Sequence, residues 1–251
     1  MKWTGEYRVN ANDVDRNNVV SASNLLRYMQ DAANSQMEAD GPSYMELMGR
    51  GLSFVLSRIR VSSYRPLYSH DRIEVQSWAC ESRGVQFNRC YRILRDGVIV
   101  AEGVSVWALC SITDRKIHRV NEFEMHYRQD EMLELDLPAR FRIPEDVTLT
   151  LTGERTTEYA DIDMNGHMNN TRYPDILCSF LGTEMTGQRV ISMGISFLSE
   201  APLGETLKFY TGQSDGVQYV RTVRENGLTN VEAEILLDPI EVPETSGERS
   251  E

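Results

Sequence analysis

One short polar string occurs twice in this chain. It reads Asp13-Val14-Asp15-Arg16-Asn17 near the start and Asp161-Ile162-Asp163-Met164-Asn165 later, an offset of 148 residues, and each copy precedes a segment with helical apolar periodicity. Two more markers keep the same order. Pro66-Leu67 and Pro202-Leu203 precede strand-like runs at an offset of 136, and the turn dipeptides Asp96-Gly97 and Asn226-Gly227 lie 130 apart. Insertions in the first copy account for the shrinking offset. The chain therefore reads as one unit duplicated, with a first half at 1–125, a linker at 126–150, a second half at 151–238 and a flexible acidic tail at 239–251. The linker reading rests on acidity, weak periodicity, Pro138 and Pro144.

Each half shows one main helix followed by strands. In the first, Ser21 or Ser23 can cap a helix whose face carries Leu25, Leu26, Met29, Ala32, Ala33 and Met37, and Gly41-Pro42 ends it. A short second helix is expected over Tyr44 to Met48. Alternating runs at 55–64, 73–79, 85–94 and 98–109 read as strands, the last two joined at Asp96-Gly97. In the second, Tyr173, Ile176, Leu177, Phe180 and Leu181 share a helical face, with Pro174 in the first turn. Strands are expected at 190–198, 206–212, 217–223 and 230–237. The fold class is α+β, antiparallel sheet covering a helix in each half.

Composition narrows the function classes. A net charge of −12 disfavours a general nucleic-acid binder, and no apolar run approaches a membrane span. The start of the chain has no apolar or arginine-rich leader, and Cys80, Cys90, Cys110 and Cys178 form no C-x-x-C pair, so a reducing cytoplasm is the expected location. His70, His118, His126 and His167 lack ligand spacing, so neither a metal nor another cofactor is implied. Between Arg50 and Val120, however, twelve Lys/Arg stand against six Asp/Glu. Such a stretch on an acidic body can steer an acidic partner or can be the solvated faces of strands.

The densest chemistry lies at 161–170, where two carboxylates, three amides and His167 enter a helix. Gly166 permits positive φ, and the helix start favours negative charge beside it. An imidazole, an amide donor and a helix start are the parts that polarise a carbonyl and activate water. The duplication sharpens this reading. The first copy keeps Asp13, Asp15 and Asn17 but has Val19 in place of His167, and Tyr64 stands at the offset of Glu200. The turn-forming residues occur in both halves and the proton-handling ones in one.

The run D-x-D-x-N-x-H-x-N-N-x-x-Y from Asp161 to Tyr173 resembles the signature of the acyl-ACP thioesterases of plants and bacteria, and the two-copy layout extends the resemblance over nearly the whole chain. That resemblance implies a tandem double hotdog, each half a sheet wrapped round a long central helix, and hydrolysis of fatty acyl thioesters on acyl carrier protein. It implies catalytic roles for Asp163, Asn165, His167 and Glu200. Plant members carry cysteine after that glutamate. Ala201 stands here, so water attack is the expected chemistry, with His167 and Glu200 on the water and Asn165 on the carbonyl. Asp163 as base or nucleophile is the alternative.

The resemblance places the acyl pocket in the first half, whose helical segment carries Leu25, Met29, Met37, Tyr44, Met45, Leu47, Met48 and Leu52. Leu25, Met29, Met45 and Met48, with Asn169 and Asn170, are taken as substrate-binding. Methionine suits a flexible alkyl chain. The arginines at 58, 60, 65, 72, 83, 89, 92 and 95 become candidates for docking acidic carrier protein. An acyl-CoA enzyme and a non-catalytic acyl-binding protein are the rival readings, and a homodimer is left open.

Overall fold

In the computed structural model, which describes residues 2–123, 128–181 and 185–240, the first helix, α1 (Ala22–Asp40), begins where Ser21 Oγ accepts the Asn24 N–H and ends where Gly41 takes φ +66°. Its buried stripe of Leu25, Leu26, Met29, Ala32 and Ala33 lies against the sheet. A capping box of Ser43 and Glu46 starts α2 (Tyr44–Gly49). The first half supplies β1 (Trp3–Arg8), β2 (Leu52–Ser63), β3 (Arg72–Ala79), β4 (Phe87–Arg95), β5 (Val98–Ser111) and the short β6 (Ile117–His118). The second supplies β7 (Thr150–Thr156), α3 (Tyr173–Ser179), β8 (Gln188–Phe197), β9 (Thr206–Ser214), β10 (Val217–Val223) and β11 (Thr229–Pro239).

All strands pair antiparallel in the order β1-β3-β4-β5-β2-β8-β11-β10-β9-β7, with β6 on β5. The order is the same from either edge inward, so the two halves are related by a pseudo-twofold axis between β2 and β8. In that central ladder Arg60 stands opposite Gly194.

The duplication can be followed bond by bond. Asp15 N–H donates to Val19 O (2.8 Å) as Asp163 N–H does to His167 O (3.1 Å), and Val20 N–H reaches Leu67 O as Met168 N–H reaches Ala201 O, both at 2.8 Å. Asn18 and Gly166 both take positive φ at the turn. The strand-entry bonds give an offset of 134, since Tyr68 bridges Val19 and Pro202 bridges His167. The expected offset of 136 is thereby corrected, and Glu200 corresponds to Pro66 rather than Tyr64.

A long central helix in each half is also corrected. The first half has 19 residues in α1, whereas α3 has seven, preceded by a 3-10 turn over Asn170–Arg172. The second helix stops because Phe180 leaves it to stack on Phe209, with ring centroids 3.8 Å apart, over Gly153, where a Cβ would meet the Phe180 ring at 2.7 Å.

The sheet face away from the helices is covered by the stretch read from composition as a linker. Asp130 N–H bonds Ala79 O, Trp78 Nε1 donates to Glu131 O (2.7 Å), and Leu133, Leu135 and Ala139 lie on Trp78, Cys80, Cys90 and Val104. Beneath it the Cys80 and Cys90 sulfurs are 3.1 Å apart. Much of the arginine-rich stretch is internal. Arg60 is buried under this strap, Arg89 is buried against Gln36 of α1, Arg92 pairs with Glu102 and Arg95 with Asp71. Strand alternation sends such side chains to both faces, and here both faces are covered. Among the described residues no helix is long and apolar enough to cross a membrane. The acidic tail, from 241 on, and His126 lie outside the described residues.

Candidate active site

The loop at 161–170 is an Asx-rich turn held at every corner. Asp161 Oδ2 accepts the Glu158 N–H (2.9 Å), Arg155 pairs with Asp161 at 2.8 Å, and Asp163 Oδ1 accepts the Asn165 N–H (2.8 Å). Burial works to raise the Asp161 carboxyl, but the Arg155 bond and the Glu158 N–H outweigh it and hold the group below its ordinary value. Asn169 closes the loop by capping the 3-10 turn through Thr171 N–H (2.9 Å).

His167 and Glu200 come together at this loop, with Nε2 to Oε1 at 3.5 Å and side-chain exposures of 18% and 35%. The bridge between His167 and Pro202 sets this meeting, because it lays the strand leading into β9 beside the loop. Two residues of the first half complete the cluster. Arg115, in the turn after β5, donates to Glu200 Oε1 at 2.8 Å, and Tyr44 Oη donates to Asn165 Oδ1 at 2.8 Å. Tyr44 belongs to the expected pocket segment, but neither contact has a sequence signal, since each acts across the pseudo-axis from a position 85 or more residues away. With its oxygen tethered by Tyr44, the Asn165 amide is left with its NH₂ free to donate.

Asn165 borders a cavity of about 970 Å³, at the top of the usual size range for ligand sites. Asp163, Asn165, Asn169 and Asn170 lie on its rim, while Met37, Leu47, Phe54, Phe87, Trp107 and Phe123 supply an apolar wall from the first half. Phe54 and Phe87 meet edge to face at 5.2 Å. His167 and Glu200 do not line this cavity. The expected substrate residues are partly elsewhere. Leu25 and Met29 face the main core, Met45 is 68% exposed, and Met48 does not line the cavity. The part of α1 that does lies further along the helix, at Gln30, Ala33, Asn34, Met37 and Glu38.

The related position in the other half is built differently. Asn17, the counterpart of Asn165, spends both ends of its amide on backbone, with Nδ2 to Met185 O (3.0 Å) and Gln188 O (3.1 Å) and Oδ1 from Gly187 N–H (2.9 Å). The cavity beside it holds about 360 Å³. So the same turn locks the halves together on one side and presents an amide to a large cavity on the other. Of the cysteines, Cys80 lines the cavity, and its bond to Cys90 together with burial holds that thiol well above its ordinary value, while burial pushes Cys178 up to about 12 and raises Cys110 as well.

The Tyr44 tether gives a first expected result. Tyr44→Phe should cost about one hydrogen bond of 0.5–1.5 kcal/mol, read as a loss of turnover of about two- to thirteenfold with the thermal midpoint lowered by no more than a few degrees.

Comparison with known proteins agrees with this picture. The sequence matches the acyl-ACP thioesterase N-terminal domain over residues 1–126 and the acyl-ACP thioesterase C-terminal domain over residues 147–238. A chloroplastic acyl-[acyl-carrier-protein] hydrolase of Cuphea viscosissima is 21% identical over 87% of this chain and 58% of its own length. A palmitoyl-acyl carrier protein thioesterase of Arabidopsis thaliana is 21% identical over 82% and 53%. The chain thus spans about half the length of the curated relatives it matches. Among solved structures, an acyl-ACP thioesterase from Bacteroides thetaiotaomicron superposes with a TM-score of 0.85 at 20% identity, covering 94% of this chain and 98% of that one. The 12:0-ACP thioesterase of Umbellularia californica gives 0.76 at 18% identity, covering 95% and 98%. With both halves matched in order around this cavity and loop, the chain belongs to the acyl-ACP thioesterase family.

Proposed function

We propose that this protein hydrolyses the thioester of a fatty acyl chain carried on acyl carrier protein and releases the free acid. The observation that carries this reading is the large cavity of the first half, with Met37, Leu47, Phe54, Phe87, Trp107 and Phe123 in its lining and the Asp163–Asn165 turn of the second half beside them. The alkyl chain enters the cavity, and the thioester carbonyl rests at the rim against the Asn165 NH₂. Water attacks the carbonyl carbon while its proton goes to His167 backed by Glu200, the tetrahedral intermediate collapses with cleavage of the C–S bond, and the departing carrier thiolate takes that proton back from His167. A second reading makes Asp163 the base, favoured by its place on the cavity rim. The relatives' names support the carrier-linked substrate, and carrier protein is the proposed partner.

The test is thiol release from acyl-ACPs and acyl-CoAs of graded length, with identification of the freed acids. Turnover of carrier-linked chains in preference to CoA esters is expected. Turnover of CoA esters alone would move the assignment to an acyl-CoA enzyme. Pocket depth should act as the length ruler, at about 0.8 kcal/mol per buried CH₂. Ala33→Phe, which fills the cavity from α1, should therefore shift the preferred chain shorter, with about fourfold lost per excluded methylene. An unchanged product profile would show that the chain lies elsewhere.

A further inference from the structure

Among the described residues one buried side-chain polar atom has no hydrogen-bond partner, the Nε2 of Gln30. A buried donor left unsatisfied costs about 1–3 kcal/mol, a cost that an acceptor brought by a ligand relieves. Gln30 lines the large cavity together with Asp163, Asn165, Asn169 and Asn170. It lies on α1 in a polar stripe with Asn34 and Glu38, at four-residue spacing, and all three line the cavity. The stripe runs beneath the catalytic turn. Glu38 Oε1 accepts the Tyr44 N–H at 3.3 Å, and the Tyr44 hydroxyl in turn holds Asn165.

The alkyl part of a saturated acyl chain offers no acceptor, and the carbonyl oxygen of its thioester is the acceptor next to it. We propose that the Gln30 amide donates to that oxygen, so that Asn165 of the second half and Gln30 of the first bracket the carbonyl and the charge that forms on it. The duplication supports the assignment. At the offset that relates Asn17 to Asn165, the counterpart of Gln30 is Cys178, which lines the smaller cavity of the other half. The amide donor, like His167 against Val19, occurs only on the side where the large cavity lies.

This inference rests on the thioesterase reading, and its test separates the two. Gln30→Met keeps the length of the side chain and removes the donor. On a saturated acyl-ACP it should lower kcat about 10²-fold, the scale of one oxyanion donor, leave KM within threefold, and leave the thermal midpoint unchanged or higher, because an unsatisfied group has gone. A loss below tenfold, or one carried by KM, overturns the role of Gln30 while the thioesterase reading stands. A wild-type protein that releases no thiol from any carrier- or CoA-linked chain sinks both. Should Gln30→Met lose its fold, Gln30→Glu decides. It donates only when protonated, so its turnover relative to wild type should climb as pH falls, and a flat ratio across pH overturns the proposal.

Discussion

His167→Ala is expected to lower kcat by about 10²–10⁴-fold, the range for loss of a general base, with KM little changed, because His167 lies behind the rim and not on the wall that takes the alkyl chain. Glu200→Ala should cost a comparable amount. The double variant should lose no more than the worse single one, since groups acting as a unit are not additive. Arg115 sharpens this. It pairs with Glu200 from the first half at 2.8 Å, so Arg115→Ala should disturb the pair without removing it and fall between wild type and Glu200→Ala. Asp163→Asn is the competing measurement. It keeps an acceptor for the Asn165 N–H and removes the carboxylate at the rim. If it costs ten times more than His167→Ala, the base is Asp163; if His167→Ala stays within a few-fold of wild type, the imidazole has no part in the step.

What could be read from sequence followed from period and repetition. The 3.6-residue stripe of α1 and the polar turn at 13–17 and 161–165 are local patterns, and each reappears with its bonds in place. Edge strands were not legible. β1 has six residues, with only Trp3 and Tyr7 alternating about Gly5, and β7 has Leu151 as its one apolar side chain, so both runs are too short or too polar to announce a strand. The length of α3 was hidden for a different reason: Phe180 fits the helical stripe but stacks on Phe209 instead, a contact 29 residues distant in sequence. Pocket residues were legible in part. Period puts Leu25, Met29, Ala33 and Met37 on one face of α1, yet only Ala33 and Met37 of these line the cavity, with Gln30 and Asn34 beside them, and which stretch of a stripe meets a void depends on the fold around it. The partners Tyr44 and Arg115 come from the other half, so no local motif could announce them.

The arginine at the pseudo-axis sets the second large effect. Arg60 is fully buried, bonded to Glu234 at 2.7 Å, Ser192 Oγ at 3.3 Å and Pro138 O at 3.1 Å, with Phe141 under its guanidinium. Its counterpart across the axis is Gly194, where a Cβ would stand 2.6 Å from the guanidinium carbon. Two facing arginines could not share this spot, and the duplicated unit resolves the conflict by keeping the large side chain in one copy and none in the other. Glu234→Leu should leave a buried charge without its partner and cost about 3–5 kcal/mol, seen as a lower urea midpoint at unchanged slope. Replacing both groups, Arg60→Met with Glu234→Leu, should recover most of that loss, since an apolar pair of similar volume is often neutral or better. A double variant as unstable as the single one would mean that the bond to Pro138, and so the anchoring of the strap, carries the energy. In that case the asymmetry at the axis would serve the covering segment, and the charge pair would be secondary.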